Sequence, residues 1–117
     1  MQEILIILND PPYGTERSYN GLRLALALPK AEPEARVSLF LMADAVACAK
    51  AGQETPNGYY NLGRMLRAAL RKGDVLACGS CLDARGLTEG ELLEGVRRSS
   101  MDELAQRTLS ADRVLVF

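Results

Sequence analysis

Four short stretches constrain the fold more than anything else in the chain: "EILIIL" (3–8), "ARVSLFLM" (35–42), "DVLAC" (74–78) and "DRVLVF" (112–117). Each is almost continuously apolar and lacks the alternation of a strand with one wet face. Runs of this length and kind belong in strands buried on both sides. Between them the apolar spacing turns helical. From Thr15, the residues Tyr19, Leu22 and Leu26 share one side with neighbouring alanines, Arg17 and Arg23 take another, and Pro29 and Pro33 are expected to end the helix. Asp44 is placed to cap a short Ala-rich helix closed by Gly52, and "QETPNGYY" reads as a loop. Leu62, Met65, Leu66, Ala69 and Leu70 recur at helical spacing, with Gly73 where a left-handed cap belongs. Thr88 with Glu91 and Ser100 with Glu103 have capping-box spacing, and "GVRRSS" (95–100) between them is a candidate edge strand.

Strands alternating with helices imply an α/β fold, a three-layer α/β/α sandwich around a mainly parallel five-stranded sheet of Rossmann or flavodoxin-like architecture. A chain of 117 residues makes this a single domain, 1–117, large enough to bury a core. The formal net charge of −1 gives no electrostatic footprint for nucleic acid or an anionic membrane surface. No apolar run approaches the ~20 residues that span a bilayer, and "MQEILIILND" lacks the basic start and cleavage site of a signal peptide. Three cysteines, an odd count, argue against a secreted disulfide framework, so a reduced, cytoplasmic protein is expected.

Chemistry concentrates in "LACGSCLDARGL" (76–87), which holds two of the three thiols. The chain has no histidine, so a thiol cannot be activated by an imidazole and must rely on a cation or on backbone N–H groups. Cys78 closes the apolar run "DVLAC", and in an open parallel sheet ligands bind beyond the carboxyl ends of strands. Gly79 permits a tight turn or a close approach, and Arg85 lies near in sequence. Against this stands the ordinary habit of cysteine as a small buried residue, the expected state of Cys48 in "AVACAKA" and an open alternative for Cys81. Two thiols without histidine make a poor zinc site, so no metal and no cofactor are expected. A thioredoxin-type redox pair is a further alternative, although all five prolines precede the cysteines and none remains to face such a pair.

"ACGSCLDARGL", with "ILIILNDPPYGTERSYNGLRLALAL", "TPNGYYNLGRML" and "SMDELAQRTLSADRVLVF", resembles the DsrE/DsrF-like family, and within it the YchN-type members, over essentially the whole chain. The resemblance implies a sulfur-relay protein whose cysteine carries sulfane sulfur as a persulfide. The carrier cysteine lies seven residues before the arginine of an Arg-Gly pair, which here selects Cys78, with Arg85 stabilising its anion. The sequence departs from the carriers in two ways: Ala84 stands where they tend to have a second arginine, and Cys81 is an additional thiol, placed to resolve a persulfide. The resemblance also implies a homo-oligomer, trimer or hexamer, and a sulfur-donor or acceptor protein as partner. The alternatives are an oligomeric binding module with structural cysteines and a thiol-redox protein. Leu92, Leu93, Val96, "PPY" and "GYY" are candidates for a subunit interface.

Two other features bear on the site. "NDPPYGTERS" occupies the phosphate-loop position of flavodoxin-like folds, but one glycine and no Walker pattern make it a weak motif. Asn9, Asp10 and Tyr59 are expected to line the rim of the Cys78 cleft. Arg64, Arg67 and Arg71 share a helix face that reads as solvated.

Overall fold

The computed structural model describes residues 2–117. In chain order the elements are β1 (Glu3–Leu8), α1 (Arg17–Ala31), β2 (Arg36–Leu41), a 3₁₀ segment (Ala43–Ala49), α2 (Leu62–Ala69), β3 (Val75–Cys78), α3 (Gly79–Ala84), a single 3₁₀ turn (Glu89–Glu91), β4 (Arg97–Ser99), α4 (Met101–Ser110) and β5 (Arg113–Val116). The sheet has the order β4-β3-β2-β1-β5, and every pairing is parallel. Walking from β1 to β4 the chain moves in one direction across the sheet, then jumps back over it to set β5 beside β1. Right-handed crossovers place α1, α2 and α3 on one face and α4 on the other, the three-layer arrangement expected from the alternating pattern.

β1, β2 and β3 form the centre, and their continuous apolar runs are there because both faces are covered. Ile6, Leu8, Leu39, Phe40, Leu41 and Leu76 are inaccessible, packed against Leu22, Leu62, Leu66 and Leu82 from the helices. "DRVLVF" differs from the expectation of a buried strand. β5 is an edge strand, with Arg113 and Val116 exposed and Val114 and Leu115 half-buried, because no described strand pairs beyond it. β4 is the other edge, as "GVRRSS" suggested.

Several local expectations are corrected. The first helix begins at Arg17 rather than Thr15, and Pro29 lies inside its last turn. Near the helix end the missing N–H of Pro29 costs only one ladder bond, and its ring is buried. Asp44 does not cap the Ala-rich segment. The cap position is Met42, the segment is 3₁₀, and the Asp44 carboxylate is turned to an arginine instead. Gly73 is not a left-handed cap: a Cβ there would overlap the carbonyl oxygen of Val37, so glycine is required by close approach between chain segments. Thr88 and Glu91 do form a reciprocal capping box, but it closes one 3₁₀ turn and not a helix. Leu92, Leu93 and Val96 are core residues, buried within the single chain rather than available to a subunit interface.

Candidate functional site: a thiol pair at the carboxyl end of β3

Cys78 is both the last residue of β3 and the N-cap of α3, with an extended backbone (φ −60°, ψ 119°) that turns the chain directly into the helix. Its sulfur therefore meets the residues that follow it. Sγ lies 3.3 Å from the Ser80 hydroxyl. Burial pushes the Cys78 thiol up, but the Ser80 hydroxyl, the Cys81 N–H and thiol, and the Ser80 N–H outweigh it and hold the pKa below the ordinary thiol value. This is the activation that a chain without histidine can supply.

Cys81, one turn into α3, is half-buried and its thiol faces Cys78. Its pKa goes the other way. Burial, the thiol–thiol hydrogen bond and the negative charge of Cys78 raise it, while the Ala43 N–H and Arg85 oppose the rise. The two thiols are thus shifted in opposite directions, Cys78 toward the thiolate and Cys81 toward the thiol. The Ala43 N–H donates to Cys81 Sγ at 3.2 Å. Ala43 is the one non-glycine residue among those described with a left-handed backbone (φ 50°), a strained conformation that aims this donor at the sulfur.

Arg85 is present at the site but serves the other sulfur. Its Nε and Nη2 contact Asp44 Oδ1 at 2.9 and 2.8 Å, and Nη1 donates to the Cys81 carbonyl at 3.1 Å. The cation beside Cys78 is Arg98, on β4, which sequence reading missed. Its guanidinium makes a two-pronged ion pair with Asp83 at 2.9 and 2.8 Å and lies across Gly79, where a Cβ would come within 2.9 Å of Cζ, Nε and Nη2. Gly79 is therefore needed for close approach. Nothing local in the sequence announces Arg98, since it arrives only through the β3–β4 register that pairs Ala77 with Arg98 and Cys78 with Ser99.

Asn9, Asp10 and Tyr59 are not part of this set. Asn9 donates through its backbone N–H and Nδ2 to the Phe117 carbonyl, each at 3.1 Å. The backbone carbonyl of Asp10 accepts from Ser18 at 2.7 Å and from the Cys48 thiol at 3.8 Å, while its carboxylate accepts from Thr15 at 2.9 Å. β1 stands two strands from β3, so these groups close their own loop, and the hydroxyls of Thr15 and Ser18 are spent on Asp10. Tyr59 is 68% exposed. Its neighbour Tyr60 stacks on Tyr19 at 4.0 Å beside Tyr13, whose hydroxyl accepts from the Leu62 N–H, and this cluster anchors the loop to α1 and α2. Cys48 is fully buried with its pKa pushed up to about 12, chiefly by desolvation, and is structural. Among the described residues no three Cys, Asp or Glu side chains gather to hold a metal ion, and no helix is long and apolar enough to cross a membrane.

Residues 2–117 match the DsrE/DsrF-like family. The chain belongs to that family. It is 44% identical to Protein YchN of Escherichia coli over 118 residues, covering all of both chains, and 38% identical to Uncharacterized protein MK0008 of Methanopyrus kandleri, covering 97% of this chain and 93% of that one. The crystal structure of the E. coli YchN protein superposes with a TM-score of 0.93 over the full length of both chains at 44% identity. MTH1491 of Methanobacterium thermoautotrophicum, at 14% identity and a TM-score of 0.83 over both full chains, shares the fold.

Proposed function

We propose that this chain is a persulfide carrier, with Cys78 as the thiol that takes up sulfane sulfur and passes it on. The observation that supports the reading is a Cys78 thiol held below its ordinary pKa at the carboxyl end of a central-sheet strand, with a second thiol facing it. The Cys78 thiolate attacks the outer sulfur of a donor persulfide, forming Cys78–S–SH and releasing the donor's thiolate, with no net redox change. An acceptor thiolate then takes the outer sulfur by the same exchange. Cys81 offers a second exit. Its thiolate attacks the inner sulfur, Cys78 Sγ, making a Cys78–Cys81 disulfide and expelling hydrosulfide. The two cysteine sulfurs are oxidised, the sulfane sulfur is reduced, and an external dithiol restores the pair.

The partners on this reading are a sulfur-donor and a sulfur-acceptor protein, and the carrier works as a trimer or hexamer in the cytoplasm. The family membership supports sulfur relay as the general setting. The test is to incubate the protein with a cysteine desulfurase and cysteine, then map the peptides by mass spectrometry. One added sulfur is expected on Cys78, retained in Cys81→Ser and absent in Cys78→Ser. No added sulfur on either cysteine at any donor level would sink the reading.

One observation favours the rival, an assembly module with structural cysteines: Cys78 is only 3% exposed. The rival requires Cys78 to alkylate with an apparent pKa at or above about 8.5. The carrier requires a lower one.

A further inference from the structure

The arginine that sequence spacing pairs with Cys78 is committed to Asp44 and to the Cys81 carbonyl. A second arginine stands where Arg85 was expected. We propose that Arg98 is the anion-holding residue of Cys78, stabilising its thiolate and, once the thiol is charged, the negatively charged outer sulfur of the persulfide. The second half rests on the carrier reading and the first half does not.

Three observations carry this. The Arg98 guanidinium is laid flat over Gly79, the residue next to Cys78, at a distance only glycine allows. It is held there from both ends, by the two-pronged bond to Asp83 and by the Arg98 backbone N–H donating to Glu89 at 3.1 Å. Asp83 takes one N–H from each terminal nitrogen. A guanidinium has five such donors, and among the described residues no acceptor takes the other three. The side chain is 43% exposed, so one side is open to an incoming anion. The negative charge of Cys78 in turn adds to the rise in the Arg98 pKa, which comes first from Asp83.

The charged groups around the pair are Asp83 on α3, Glu89 in the 3₁₀ turn, Asp44 and Arg85 on the far side, and Cys81. The experiment is the pH profile of iodoacetamide alkylation at low salt, with the Cys78 and Cys81 peptides quantified separately by mass spectrometry. Arg98→Gln is expected to raise the apparent pKa of Cys78 by about one unit, or about tenfold less thiolate at neutral pH. Arg98→Lys should recover part of the shift. Gly79→Ala, which displaces the guanidinium while keeping its charge, should move Cys78 in the same direction by less, and it keeps the test alive if Arg98→Gln folds poorly. Arg85→Gln should leave the Cys78 profile in place and act on Cys81. An unchanged Cys78 profile in both Arg98→Gln and Gly79→Ala overturns the assignment. So does an equal shift from Arg85→Gln. With inorganic polysulfide as the sulfur source, Arg98→Gln should hold severalfold less Cys78 persulfide than the unaltered protein. If the unaltered protein takes up no sulfur, the carrier reading fails and the alkylation profile still judges Arg98.

Discussion

Of the three cysteines two are shifted up and one down, and burial alone does not separate them. Cys48 and Cys78 are both buried, yet the first is pushed up to about 12 and the second is lowered. The difference lies in the donors around each sulfur. Cys48 meets Ser18 and the Asp10 carbonyl inside the core, and desolvation dominates. Cys78 sits at a chain turn where two backbone N–H groups, a hydroxyl and a thiol converge. Cys48 yields a prediction with a definite sign. Its folded pKa lies above the unfolded value near 9, so the native state keeps a proton that the unfolded chain loses. Stability from this group is complete below about pH 9 and is lost as pH rises toward 12, by up to roughly 4 kcal/mol. Urea unfolding of the protein and of Cys48→Ala at pH 7 and pH 10.5 checks it: the variant should be the less stable at pH 7, with the gap narrowing or reversing at pH 10.5. A constant gap would show that Cys48 does not titrate between the two states.

At the scale of elements, the sheet is tied to its outer helix by a few polar contacts rather than by apolar packing alone. Leu104 is the one buried residue of α4. The helix depends instead on its N-cap, where the Ser100 side chain accepts from the Glu103 N–H at 3.2 Å, and on Arg107, which reaches Asp74 at 2.7 Å between α2 and β3. Asp74 also pairs with Arg36 on β2 at 3.1 Å. Arg107 and Arg36 together overcome the desolvation of the Asp74 carboxyl and hold its pKa below the usual value. Ser100→Ala should cost about 1 kcal/mol by leaving the first turn uncapped. Hydrogen exchange is the informative measurement, with faster exchange expected in α4 and the adjoining β5 and none in β2 or β3. Uniform loss of protection across the sheet would mean that α4 is not a separately weak element.

At the scale of the whole molecule, three of the four large apolar side chains left exposed among the described residues lie on α4 and β5, the fourth being Tyr59. Leu109 is 87% exposed and Met101 58% on α4, and Val116 is 64% exposed on the edge strand β5. The open edge of β5 with Val116, and the exposed leucine and methionine of α4, are surface that a second copy can cover, and the proposed trimer or hexamer is expected to use it. Light scattering at low micromolar concentration should give a multiple of 12.7 kDa, and Leu109→Lys with Val116→Lys should lower it. A mass of one chain for the unaltered protein removes the assembly. An unchanged assembly in the double variant moves the contact elsewhere.

The layers, the parallel sheet and the position of Cys78 at a strand's carboxyl end could all be read from residue order. Each follows from patterns a few residues long: the continuous apolar runs of β1, β2 and β3, the helical spacing around Leu62 and Leu66, and the turn at Gly79. The edge status of β5 was not legible, because "DRVLVF" is as apolar as a central strand and only the strand order exposes it. The electrostatics of the site were legible in half. Ser80 and Cys81 act on Cys78 through the local backbone, so their proximity is written in "CGSC". Arg98 and Ala43 come from 20 residues after Cys78 and 38 residues before Cys81, through the β3–β4 register and a left-handed turn beyond β2. Arg85 and Arg98 look alike along the chain. A charge acts through space, and only the folded sheet determines which of them meets Cys78.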